Sequence, residues 1–96
     1  MQQLTVDQIK QKVIPILKEA GVKRSSLFGS YARGDNQEDS DIDILVEFPM
    51  GKTLFDLVDL EEHLKKALQK EVDVTTYKSI SPHVEKYIYA NQIALL

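Results

Sequence analysis

The chain has 96 residues, with 12 Lys and Arg against 15 Asp and Glu, a net charge of −3 and no cysteine. One domain over residues 1–96 with a single modest core is expected, without room for a second nucleotide- or acceptor-binding domain. The acidic balance disfavours an extended nucleic-acid interface, which needs clustered Lys and Arg. The lack of cysteine excludes disulfides and thiolate metal sites, and with neither an export signal nor a run of 18 apolar residues a cytoplasmic protein that avoids membranes is expected.

In chain order, Thr5 and Gln8 form a capping-box pattern that opens a helix. Ile9, Val13, Ile16, Leu17 and Ala20 then trace an apolar face at helical spacing until Gly21. Pro15 lies inside that pattern. A proline there removes a hydrogen bond and costs about 3 kcal/mol, so a kink or two shorter segments are expected. A strand follows near Arg24 to Phe28, then a turn at Gly29-Ser30, a short helix to Arg33 and a polar loop from Gly34 to Ser40. An alternating strand reaches about Glu47 before Pro49-Met50-Gly51 break the chain.

Thr53 and Asp56 cap a second long helix, with Leu57, Leu60, Leu64 and Leu68 as its buried stripe. Lys65, Lys66 and Lys70 near its end complement the macrodipole, the first two on a solvated face. Glu71 to Thr76 alternates as a strand, Ser81-Pro82 opens a last helix through about Tyr89, and Gln92 to Leu96 adds a short edge strand. Tyr77, Tyr87 and Tyr89 are expected as half-buried packing residues. Strands separated by helices give an α/β (α+β) domain: a small mixed β-sheet flanked by helices mainly on one face, with the other face left for a ligand.

The chemistry concentrates between residues 27 and 46. In the strand that begins at Asp41, side chains alternate, so Asp41, Asp43 and Leu45 share one face while Ile42, Ile44 and Val46 share the other. The β-branched face orders the strand by burial, at roughly 1.5–3 kcal/mol per fully buried side chain. The two carboxylates, about 7 Å apart by the strand rise, repel one another and suit a divalent cation. Mg²⁺ in particular prefers one or two carboxylates completed by phosphate oxygens and water.

Gly29-Ser30 follows Phe28 where the chain must turn. Glycine there lets the main chain approach a ligand, and exposed N–H groups with the Ser30 hydroxyl form a concavity for phosphate oxygens. Arg33 either brings positive charge to those phosphates or pairs with Asp41 or Asp35. Glu71-Val72-Asp73-Val74 puts Asp73 opposite two valines. With that strand beside the first, Asp73 joins Asp41 and Asp43, and three carboxylates can hold two metal ions for an in-line displacement, Asp73 also receiving the proton of the incoming hydroxyl.

Competing patterns fail. Gly51-Lys52-Thr53 lacks the upstream glycine of a P-loop, since position 46 is Val46. Ser30 is not set in a Gly-x-Ser-x-Gly elbow. His63 and His83 lie on separate helices without metal-ligand spacing.

Leu27-Phe28-Gly29-Ser30-x-Ala32-Arg33-Gly34, Ser40-Asp41-x-Asp43-x-x-Val46, the Leu- and Glu-rich helix and Val72-Asp73-Val74 together resemble the minimal nucleotidyltransferases of the DNA polymerase beta superfamily. The likeness covers nearly the whole chain. It implies a polymerase-beta-type nucleotidyltransferase fold, a Gly29-Ser30 turn that holds a nucleoside triphosphate, and Asp41, Asp43 and Asp73 as ligands of two Mg²⁺ ions. It further implies transfer of AMP from ATP to a tyrosine of a HEPN-domain ribonuclease toxin, with the chain as antitoxin and an oligomer with that toxin as a possible assembly. Two alternatives stay open: an antitoxin that acts by binding alone, and a nucleotidyltransferase for a small molecule such as an aminoglycoside.

Overall fold

The computed structural model describes residues 4–96, except the side chains of Val84, Tyr87, Ile88 and Tyr89. The elements run α1 (Val6–Glu19), β1 (Arg24–Phe28), α2 (Ser30–Arg33), β2 (Ile42–Glu47), α3 (Leu54–Leu68), β3 (Val72–Thr76), a 3-10 turn (Tyr77–Ser79), α4 (Pro82–Ala90) and β4 (Ile93–Ala94). The sheet order is β3-β2-β1-β4. β1 pairs antiparallel with both β2 and β4, and β2 pairs parallel with β3, making the sheet mixed. No helix among the described residues is long and apolar enough to cross a membrane.

The start of α1 follows from its capping box: the Gln8 N–H donates to Thr5 Oγ1 at 3.1 Å and the Thr5 N–H to Gln8 Oε1 at 2.9 Å. Its apolar stripe buries Ile9, Val13 and Leu17. The expectation of two shorter segments at Pro15 is corrected, since α1 is one helix from Val6 to Glu19. Pro15 lies on the exposed side, where water can take the carbonyl that loses its N–H partner, and burial of the opposite face holds the helix together.

α3 opens where Asp56 accepts the Thr53 N–H at 2.8 Å, and Leu60, Leu64 and Leu68 carry its buried stripe. α1 and α3 pack on the sheet face formed by Leu27, Ile42, Ile44, Val46, Val72 and Val74. The opposite face therefore carries the other alternation. Ser25, fully buried at a core position, is satisfied because its hydroxyl donates to the Leu45 carbonyl at 2.7 Å.

Lys65 differs from a simple solvated residue: it is half-buried and bridges Glu61 and Glu71, each at 3.4 Å. α4 matches the helix expected after Ser81-Pro82, and β4 is a two-residue edge strand. The expectation for Tyr87 and Tyr89 lies outside the described residues; Tyr77 is half-buried as anticipated.

Two substitutions test this account in urea melts. Leu64→Ala, at a site with no exposed surface, is expected to cost about 2–5 kcal/mol. Pro15→Ala is expected to stabilise by about 1–2 kcal/mol, because a helix-favouring residue restores the missing hydrogen bond at an exposed position.

Candidate active site

β2 supplies the centre of the site. Ile42, Ile44 and Val46 enter the core, so Asp43 and Leu45 turn to the face without α1 and α3. Parallel register sets Asp43 directly beside Asp73 on β3, and antiparallel register sets it beside Phe28 on β1. Residues paired across strands share a face, so Asp43 and Asp73 project together. Asp41 stands one residue before β2; it and Asp73 are exposed, while Asp43 is half-buried.

This crowding has an electrostatic signature. Burial, then the Asp73 and Asp41 carboxylates, push Asp43 up to about 6 from the usual carboxylate value, with Arg33 pulling weakly the other way. The Arg33 Nε also bonds Asp35 Oδ2 at 3.2 Å. Arg24 pairs with Glu47 at 3.4 Å and stacks 4.1 Å from the Tyr77 ring centroid.

The turn after Phe28 brings Gly29 over Asp43. At φ +74° and ψ −151°, Gly29 occupies a region that side-chain-bearing residues scarcely enter. A Cβ there would collide with Asp43 Oδ2 and lie 3.2 Å from Asp43 Cγ. The Gly29 carbonyl accepts the Ala32 and Arg33 N–H groups, both at 3.1 Å, and the Ser30 carbonyl accepts those of Gly34 and Asp35 at 2.9 and 3.1 Å. α2 is thus a single closed turn. The first N–H groups of a helix have no intrahelical acceptor, and here they belong to the residues that follow the glycine packed on Asp43.

The structure therefore brings Gly29, Asp43 and Asp73 together, with Ser30 leading α2 and Asp41 flanking. Among the described residues no group of three or more His, Cys, Asp or Glu side chains closes on a single metal position. The donor set nonetheless fits an open Mg²⁺ site, in which two carboxylates are completed by phosphate oxygens and water. A carboxylate driven up to about 6 by burial and by its acidic neighbours, with Arg33 pulling only part of the way back, also favours the positive charge that a cation would bring.

Three further contacts shape the surroundings, and local sequence pattern does not announce them. Lys70 Nζ donates to the Glu38 carbonyl at 2.7 Å across 32 positions of chain, which ties the loop ahead of Asp41 to the start of β3. The Gln37 N–H donates to Ser40 Oγ at 2.7 Å within the same loop. Tyr77 reaches from the end of β3 to β1, its hydroxyl 2.7 Å from Ser26 Oγ, and so crosses the far end of the acidic face.

A separate cavity of about 430 Å³ opens between α1 and α3, lined in part by Ile16, Glu19, Asp59 and His63. It shares no residue with the carboxylate row. His63 is exposed, with Nδ1 2.9 Å from the Asp59 carbonyl.

The chain is similar to known proteins along most of its length. A Methanocaldococcus jannaschii protein provisionally named a protein adenylyltransferase is 53% identical over 93 residues, covering 97% of this chain and 100% of its own length. Protein adenylyltransferase MntA of Thermococcus cleftensis is 36% identical over 92 residues, covering 92% and 93%. Among solved structures, one provisionally described as a minimal nucleotidyltransferase superposes with TM-score 0.82 at 29% identity, covering 97% of this chain and 98% of its own. A toxin-antitoxin with AMP-PNP superposes with TM-score 0.79 at 27% identity, covering 91% and 72%. The family described as nucleotidyltransferase domain matches residues 10–95, and with the carboxylate pair and glycine turn in place the chain belongs to that family.

Proposed function

We propose that the chain transfers AMP from ATP to a hydroxyl of a partner protein, a tyrosine of a HEPN-domain ribonuclease toxin, and thereby acts as its antitoxin. One observation carries this reading: Asp43 and Asp73 stand side by side in strand register under the bare Cα of Gly29. The adenylyltransferase names of relatives at 53% and 36% identity support adenylyl transfer. The toxin-antitoxin structure with AMP-PNP supports a nucleotide substrate and a toxin acceptor.

Gly29 and Ser30 receive the triphosphate through backbone N–H groups and the serine hydroxyl. Asp41, Asp43 and Asp73 would hold Mg²⁺, which neutralises phosphate charge and polarises the reacting phosphoryl group when bound. The acceptor oxygen attacks the α-phosphorus, the bond to the bridging oxygen breaks, and pyrophosphate leaves with its electron pair. Asp73, on the exposed edge of the row, accepts the hydroxyl proton. Arg33 remains with Asp35 and adds positive charge beside the phosphates.

Labelled ATP, Mg²⁺ and the purified toxin test the assignment. Label should appear on the toxin and fall by about 100-fold or more in Asp41→Asn, Asp43→Asn and Asp73→Asn. Retained transfer in all three would refute the metal assignment. Protection of cells from the toxin by Asp43→Asn would instead favour an antitoxin that only binds. Gly29→Ala is expected to lose transfer and about 1–3 kcal/mol of stability, read by the same assay and a thermal melt.

The raised Asp43 pKa fixes a pH dependence. Folded Asp43 holds its proton up to about pH 6, whereas an unfolded aspartate releases it near 4. The wild-type fold thus loses stability relative to Asp43→Asn as pH rises from about 4 to 6. Above that the variant should be more stable by about 1 kcal/mol, after allowance for solvent screening. Below pH 4 the difference should vanish, and Mg²⁺ should raise the melting temperature only of the wild type, and only above pH 6.

A further inference from the structure

The N-terminal half of α3 carries an apolar surface that the site does not use. Leu54, Phe55 and Val58 are 77%, 86% and 58% exposed, and Met50 in the preceding turn is fully exposed. Large apolar side chains exposed so close together in sequence mark an interaction site more often than singly scattered ones do. At helical spacing, Leu54, Phe55 and Val58 lie on a different flank from Asp56 and His63, which face α1 across the cavity, with the exposed Asp59 on the border between the two. The patch therefore looks outward, away from α1.

Its border on α3 is mainly acidic. From Thr53 to Glu62 the sequence has Asp56, Asp59, Glu61 and Glu62 and neither Lys nor Arg, while Lys52, ahead of the helix, lines the cavity with Asp56. Lys65 engages Glu61, which leaves Asp59 and Glu62 beside the apolar stripe. A second copy of the chain would set acid against acid, which costs affinity. A surface that is apolar at its centre and acidic at its rim instead complements an amphipathic helix with Lys and Arg along its stripe.

The position matters as much as the chemistry. Asp43 lies at the start of β2, and α3 begins only after β2 has run to Glu47 and the chain has turned. The strand alone separates the two ends by about 13 Å. An occupant of the patch would leave the carboxylates open.

We propose that this face docks the partner protein through an amphipathic helix whose apolar stripe is flanked by Lys and Arg, anchoring it while its acceptor hydroxyl enters the separate carboxylate site. This rests on the acceptor being the toxin polypeptide. The test titrates purified toxin into wild type, Phe55→Ala/Val58→Ala and Asp59→Lys/Glu62→Lys by calorimetry, at low and high salt. Each double variant should bind about tenfold or more weakly, with unchanged melting temperature and ATP affinity, and high salt should narrow the gap for the charge variant.

Wild-type affinity in both variants would overturn the docking face. So would a doubled mass by light scattering of the chain alone that Phe55→Ala/Val58→Ala abolishes, since that assigns the patch to a second copy. Full toxin labelling together with wild-type affinity in the variants sinks the docking face alone. A wild-type chain that neither binds nor labels the toxin sinks the proposed function with it.

Discussion

The placement of a single carboxylate, Asp43, between a glycine and another acid constrains the rest of this molecule. Asp43 occupies a central strand, half-buried, with Asp73 on one side and Phe28 on the other. Such a position is unfavourable for an ionised group, as its raised pKa records. It persists because the alternating residues Ile42, Ile44 and Val46 are all fully buried on the opposite face. A slip of one residue in β2 would send Asp43 among the helices and bring the isoleucines to solvent. Core packing and site geometry are thus one constraint seen from two faces of the same strand.

The turn after β1 is subject to that constraint too. Because Phe28 pairs with Asp43, the next residue must pass over the carboxylate, and a side chain there has no space. The short helix α2 begins at once and closes after four residues, with Gly34 left-handed at its end. At the other end of the face, Tyr77 crosses to Ser26 with Arg24 stacked on its ring. Leu45, which has no exposed surface yet stands outside the helix-side core, belongs to this closed end. The sheet face is therefore closed at one end and open at the acids, which gives the site a direction.

Periodicity made most of this legible. The two-residue alternation around Asp43 and Asp73 put these two acids on one face, as their strand register has them, and Thr5-Gln8 and Thr53-Asp56 located both long helices. Pro15 did not divide α1 because helix propensity is local, whereas three buried side chains on the far side act over the whole helix. Arg33, open in the sequence between phosphate, Asp41 and Asp35, meets Asp35 two residues away, a contact set by the left-handed turn at Gly34. The Lys70 and Tyr77 contacts span 32 and 51 positions; no periodic signal encodes such pairs, since they exist only once the sheet order is set.

Acidic side chains serve two different physical ends here. In the carboxylate row, burial of Asp43 and the charges of Asp73 and Asp41 beside it push Asp43 up to about 6, and the group favours a concentrated positive charge. Along the first turns of α3 they are spaced and largely solvated: Asp59 keeps 74% of its side chain exposed and Asp56 serves as a cap. Charges of that kind act at longer range, are screened by salt, and steer a partner more than they hold it. The modest net charge of −3 conceals this division, because the lysines that offset it are placed elsewhere: Lys65 between Glu61 and Glu71, and Lys70 on the loop leading to Asp41. Where the acids are crowded, Arg33 offsets only part of the charge, which favours a cationic ligand. Where they are spread, the apolar side chains between them supply the binding surface and the acids set its orientation.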